Sequence, residues 1–353
     1  MNLLVYLGHP AHFHLFKETI KSLQARSVKV TIVIKSKDVL EQLLKDSRLP
    51  YINITAGISE NKRPFDAYKN FYLRLKRLAK IIRQTKPGLM IGSAAELTVL
   101  GKLFGIRSFV FFEDDFEAVK KFAKIAGPFA TRLICPNCCS AWKWEYKKTG
   151  YDSYHELAYL HPNHFTPDPE KVRNIFGNSP RNFILRFAKL TAYHDVGKSG
   201  INTAIAQQLI DLLSPHGTVY ITSERELEPQ FEKYRIRISP LDIHHAMYYA
   251  DMYIGDSQTM TAEAAVLGTP AVRFNDFVGE LSYLEELEHR FQLTYGIRTS
   301  EPDKLLKTVE NLLKHPDLKT EWQNRRKVML DQRIDLAGWM TELVGNDLKM
   351  GLR

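Results

Sequence analysis

Short apolar runs recur along almost the whole chain, and each is followed by a stretch with helical character. In the first half they are LLVYL (3–7), VKVTIVI (28–34), GLMIG (88–92), SFVFF (108–112) and RLICP (132–136), with helices expected from about Phe13, Lys37, Ala95 and Ala118. Runs rich in Val, Ile and Leu without polar alternation are strands buried on both faces, and the intervening helices supply the cover. The pattern predicts a doubly wound α/β domain with a parallel sheet. HPNHFTPDPE (161–170) then places three prolines between Pro162 and Pro169, the best linker in the chain. Alternation resumes with NFILRFA (182–188), TVYIT (218–222), MYIGD (252–256) and PAVRF (270–274), so a second α/β domain follows. A length of 353 residues suits two domains. Two such sheets in tandem are expected to turn their strand C-terminal ends, which carry ligand loops, toward a shared cleft.

Hydrophobic content of 44% and charged content of 25% fit a folded chain and exclude disorder or a collagen-like repeat. No apolar run approaches the 18 or so residues a membrane helix needs, and the start lacks a signal-peptide pattern, so a cytoplasmic protein is expected. Cys135, Cys138 and Cys139 are too few and too close for a disulfide framework, and one Cys-x-x-Cys pair makes no four-ligand zinc site. Neither a metal nor a cofactor is expected.

The chain has 49 Lys and Arg against 40 Asp and Glu, a net charge of +9. Segment 62–86 holds Lys62, Arg63, Lys69, Arg74, Lys76, Arg77, Lys80, Arg83 and Lys86 against the single acid Asp66. Helical spacing aligns Tyr68, Phe71, Leu75, Leu78 and Ile82 on one stripe with the cations beside it. The simplest reading is an amphipathic helix packed on its own domain. A peripheral contact with anionic lipid is the active one, and nucleic acid is disfavoured because no reader motif accompanies the patch.

Several strand-end loops carry candidate chemistry. The first, LGHPAHFHLFK (7–17), lacks the G-x-G-x-x-G of dinucleotide binding but offers His9, His12 and His14. His12, near the start of a helix, is the candidate base. FFEDDFE (111–117) places Glu113, Asp114 and Asp115 together at a strand end. Helix capping suits the aspartates, whereas Glu113 is a candidate for proton transfer. Ala192-x-x-x-x-Gly197-Lys198-Ser199 is close to a phosphate loop, with His194 and Asp195 just before it, so a P-loop NTPase or nucleotide sensor stays open. In the most informative stretch, a strand ends at Asp256, and Ser257, Gln258, Thr259 and Thr261 open a helix whose free amides suit a diphosphate. Glu263, in an Ala-rich helix, sits one to two turns further on, where a carboxylate can accept from ribose hydroxyls.

HPAHFHLFK, FFEDDFE, RFAKLTAYHDVG and GDSQTMTAEAAVLGTP together make the whole chain resemble the family named domain of unknown function 354, a branch of the GT-B superfamily. The last motif is also similar to the nucleotide-sugar loop of UDP-N-acetylglucosamine 2-epimerases and of the lipid-linked N-acetylglucosaminyltransferase of peptidoglycan synthesis. The resemblance implies two Rossmann-like domains, 1–162 for an acceptor and 163–330 for the nucleotide sugar, with 331–353 as a helix crossing back to the first. It implies that Ser257 and Thr259 contact diphosphate and Glu263 the ribose. Glu96 and Glu113 fall near the catalytic acids of the epimerases, and Thr191 to His194 match a Thr/His motif there, but Asp195-Val196-Gly197-Lys198 departs from the sequence that follows in those enzymes.

The expected activity is a metal-independent glycosyltransferase of polysaccharide biosynthesis, moving a sugar from a UDP-sugar to a glycan or lipid-linked acceptor. Its expected catalytic residues are His12, Glu113 and His194. Asp256, Ser257, Gln258, Thr259, Thr261, Glu263 and Lys198 would bind the nucleotide. An epimerase acting on the nucleotide sugar itself is the alternative. The basic aromatic helix would bring the enzyme to the inner face of a membrane.

Overall fold

The structure is a computed structural model that describes residues 1–37, 39–58, 64–188 and 200–350. The chain divides into two units, one made of Met1–Tyr159 with the chain from Ile334 onward, the other of Leu160–Arg333.

Unit 1 carries a parallel sheet of β1 (Asn2–Leu7), β2 (Lys29–Ile34), β3 (Tyr51–Asn53), β4 (Leu89–Gly92), β5 (Arg107–Phe111), β6 (Arg132–Pro136) and β7 (Lys148–Tyr151) in the order β3-β2-β1-β4-β5-β6-β7. Its order reverses beside β1, the switch point at which open α/β sheets bind ligands. Helices α1 (Pro10–Ala25), α2 (Leu40–Asp46), α3 (Pro64–Thr85), α4 (Ala95–Phe104) and α5 (Lys120–Phe129) connect the strands. β1, β4 and β5 are almost wholly buried, as their unbroken apolar runs require. Gly92 permits a close approach at the switch point: its φ is +152°, and a Cβ there would lie 2.5 Å from the Tyr6 carbonyl oxygen.

Unit 2 carries β8 (Asn182–Phe187), β9 (Thr218–Ser223), β10 (Met252–Gly255), β11 (Ala271–Phe274) and β12 (Thr294–Ile297), all parallel, in the order β12-β11-β10-β8-β9. Its helices are α6 (Glu170–Phe176), α7 (Thr203–Leu213), α8 (Ile243–Tyr249), α9 (Gln258–Leu267), α10 (Ser282–His289), α11 (Pro302–Leu313) and α12 (Leu318–Asp331). α9 is bounded as its sequence dictates. The Ser257 hydroxyl caps its start, and Gly268 ends it with φ +73°, a conformation that favours glycine. The buried Trp322 of α12 donates its indole N–H to Leu293 O at 2.9 Å, fixing α12 to the chain before β12.

After Arg333 the chain rejoins unit 1 as α13 (Leu336–Met350). Ile334 N donates to Asp152 O (3.0 Å), Ser153 Oγ donates to Ile334 O (2.7 Å), and Asp347 pairs with Arg107 of β5 (2.7 Å). Among the described residues, no helix is long and apolar enough to cross a membrane.

Candidate functional site

In unit 2 the chemistry gathers where β10 runs into α9. Ser257 Oγ accepts from Met260 N (3.4 Å), which leaves the amides of Gln258 and Thr259, in the first turn, without an intrahelical acceptor. Ser257, Gln258 and Thr259 are all half-buried. Thr261 differs from the expectation. Its hydroxyl donates to Ser257 O (2.7 Å) and the residue is fully buried, so it closes the first turn instead of offering a ligand contact.

Asp256 is likewise a framework residue. Its Oδ1 accepts from Ala188 N (2.6 Å) and its Oδ2 from Ile201 N (3.1 Å), so one carboxylate ties β10 to the chain on either side of residues 189–199. A Cβ on Gly200 would lie 2.4 Å from Oδ2, so only glycine fits against this carboxylate. Burial pushes the carboxyl from its ordinary 3.8 up to about 6, against the pull of the two amides and of Arg225. A buried carboxylate with both oxygens taken has nothing to give a diphosphate. Arg225, which sequence reasoning passed over, donates to Ile201 O (2.8 Å) and stacks on Phe187. His194 and Lys198 lie outside the described residues.

Glu263 is buried, and its Oε1 lies 3.0 Å from Nε2 of His244 on α8. Sequence reading missed this partner, because 19 residues separate the two and only the packing of α8 on α9 joins them.

Unit 1 collects a second set of groups. Glu113 follows β5, and its Oε1 accepts from the backbone N–H of His155 (2.8 Å) while Oε2 lies 3.5 Å from His155 Nδ1. Burial, then the charge of Glu156, raises the Glu113 carboxyl well above the ordinary carboxylate range. Burial, then His12, pushes the imidazole of His155 down to about 3, so burial disfavours charge on both groups. His155 Nε2 is buried without a hydrogen-bond partner among the described residues. Nothing in the loop around His155 marked it in the sequence.

His12 departs from the role of base. Its Nδ1 accepts from Gly8 N (3.2 Å), which assigns the ring hydrogen to Nε2 and makes that nitrogen a donor. Burial, with His9 and Lys37 nearby, holds its pKa at about 3. His9 Nδ1 accepts from Ala11 N in the same way (3.2 Å), capping α1. His14 is buried against Phe13 and Tyr159. Glu96 pairs with Arg74 at 2.6 Å, fastening α3 to the start of α4. Asp115 Oδ1 accepts from Ser140 N (2.6 Å), and α5 has no side-chain cap, so the expected capping by Asp115 is absent.

On α3, Leu78 and Ile82 enter the core with Leu75 beside them. At its outer end the stripe leaves the core: Phe71 is half-buried and Tyr68 is 78% exposed. Among groups able to hold a metal, the described residues bring together Glu285, Glu288 and His289, of which Glu285 already pairs with the buried Arg273 at 3.1 Å. It lies apart in sequence from the groups above.

No curated protein sequence matches the chain. Among solved structures, a UDP-GlcNAc 2-epimerase from Neisseria meningitidis bound to UDP-GlcNAc is similar over 99% of this chain and 100% of that one (TM-score 0.67, 12% identity). The glycosyltransferase VinC in complex with DTDP is similar over 100% of both chains (TM-score 0.62, 12% identity). The spinosyn rhamnosyltransferase SpnG, complexed with thymidine diphosphate, is similar over 96% of this chain and 99% of that one (TM-score 0.64, 13% identity). These likenesses establish a GT-B fold of the glycosyltransferase and epimerase type. The model of the protein family of unknown function DUF354 matches residues 1–281, and the chain belongs to that family.

Proposed function

We propose that the chain is a glycosyltransferase that moves a sugar from a nucleoside-diphosphate donor, a UDP-sugar, to a glycan or lipid-linked acceptor, with unit 2 taking the donor and unit 1 the acceptor. The observation that carries this reading is the start of α9, where open amides and the Ser257 cap precede a buried glutamate by one to two turns. The amide end of a helix stabilises a departing diphosphate without a metal ion. The acceptor hydroxyl attacks the anomeric carbon, the bond from that carbon to the diphosphate breaks, and the hydroxyl proton passes to the ionised form of Glu113, which its raised pKa makes the stronger base, with the neutral His155 beside it to steady the carboxylate. His12 Nε2–H holds an acceptor oxygen. The solved neighbours bound to UDP-GlcNAc or thymidine diphosphate support a nucleotide-sugar donor.

The face of α3 suits an anionic membrane surface, with Lys69, Lys76, Lys80 and Arg83 exposed beside Tyr68 and Tyr72. That face supports the reading of a lipid-linked acceptor met at the inner face of a membrane. Incubation with radiolabelled UDP-sugars and a lipid extract tests the proposal: donor consumption that requires acceptor supports it, and consumption independent of acceptor overturns it. The epimerase neighbours favour a second reading, reaction on the nucleotide sugar alone, which exchange of the sugar C2 proton in deuterium oxide detects.

A further inference from the structure

We infer that His244 is a positioning residue for ribose recognition: it holds one oxygen of the Glu263 carboxylate and so aims the other at the ribose hydroxyls of a ribonucleoside diphosphate. The inference rests on the nucleotide reading of α9 given above.

Glu263 is 5% exposed and His244 is 4% exposed, so neither group is dissolved in water and each must be satisfied by its neighbours. Their atoms meet at 3.0 Å, a hydrogen bond. An ionised carboxylate has room for about four donors over two oxygens, so a bond at Oε1 leaves the group with capacity to accept from a sugar hydroxyl. An unanchored glutamate has three rotatable side-chain bonds and would lose that freedom on binding. Anchoring Oε1 removes the loss beforehand, as preorganisation of a binding group does.

His244 is itself held. The Phe165 ring stands edge-on to it (centroids 6.4 Å apart) and packs against His245 (4.8 Å), whose Nδ1 accepts from Asp168 N (3.0 Å). Thr269, just past α9, donates its hydroxyl to Met247 O (2.7 Å), which pins the far end of α8 to the turn after α9. Ala262, Ala264 and Ala265 on α9 are fully buried, and such small side chains permit close approach of neighbouring elements. The ribose-facing carboxylate is thus joined to the segment that enters unit 2.

The test is a set of dissociation constants for UDP, 2′-deoxy-UDP and 3′-deoxy-UDP, measured on the full chain. Wild type is expected to bind UDP on the order of tenfold more tightly than at least one deoxy analogue, the worth of one hydrogen bond to a charged group. His244→Phe should shrink that preference to about twofold or less while leaving affinity for the analogue unchanged, which a general loss of structure would not do. His244→Gln, which keeps a donor, should restore part of the preference. Glu263→Gln should abolish it, and adding His244→Phe should then remove nothing more. If His244→Phe fails to fold because it strands a buried carboxylate, His244→Gln and the double variant carry the test. A preference that survives in His244→Phe overturns the inference. So does wild type that binds UDP and both analogues equally, although the nucleotide site then stands. Wild type that binds no UDP overturns the nucleotide reading itself.

Discussion

Replacing Asp256 by asparagine should change how stability depends on pH, and the structure sets the size of the change. Burial lifts the carboxyl from 3.8 to about 6, so the folded chain holds this proton more tightly than the unfolded chain does. A group raised in this sense contributes its full stability below pH 3.8 and loses it as pH rises through 6. At about 1.36 kcal/mol for each pH unit, the total loss is about 3 kcal/mol. Linkage places about 1.6 kcal/mol of it by pH 5.0 and nearly all by about pH 7.5. The side-chain amide of the Asp256→Asn variant does not titrate, so wild type should lose about 1.4 kcal/mol relative to that variant between those two values. Of the four tryptophans, Trp142, Trp144 and Trp339 belong to unit 1 and Trp322 to unit 2. With the first three changed to Phe, urea unfolding followed by fluorescence therefore reports unit 2 alone. A stability difference equal at the two pH values, or one that moves in favour of wild type as pH rises, refutes the argument.

Glu113→Gln and His155→Gln should each lower the turnover of glycosyl transfer by about 10²–10⁴ while leaving the dissociation constant for UDP unchanged, as steady-state rates and titration calorimetry would show. Lys69→Glu with Lys76→Glu and Lys80→Glu should abolish co-sedimentation with vesicles containing phosphatidylserine, and salt should weaken the wild-type interaction; undiminished binding by the triple variant removes α3 from the contact. Gly127→Ala should destabilise unit 1 by about 1–3 kcal/mol, because a Cβ there would lie 2.4 Å from the Trp144 ring; an unchanged melting temperature contradicts that packing.

The strands readable from sequence are chiefly those buried on both faces. β3, β7 and β12 escaped notice; all three are edge strands of three or four residues, and with one side open they show no long apolar run. Local chemistry was legible as well: Ser257 caps α9 and Gly268 ends it, since each depends only on its immediate neighbours. Partners set by tertiary register were not. His155 lies 42 residues from Glu113 and His244 lies 19 from Glu263, and no motif spacing joins either pair. The tautomer of His12 was equally hidden, because it turns on one amide of the preceding loop. Asp256 and Thr261 sit in the motif as potential ligands, yet Asp256 is consumed by amides of Ala188 and Ile201 that the sequence does not place beside it, and the Thr261 hydroxyl by the Ser257 carbonyl one turn back.

The return of α13 to unit 1 bears on how the chain is made. Residues 160–333 form one uninterrupted stretch, whereas the unit on either side of it is assembled from two pieces. During synthesis every residue of the inserted unit is made before the last piece of its host. The waiting sheet keeps Arg107 of β5 without Asp347, and Asp152 and Ser153 without Ile334, until α13 is translated. Released chains truncated after residue 333 should accordingly protect residues 160–333 from protease while residues 1–159 remain open to attack.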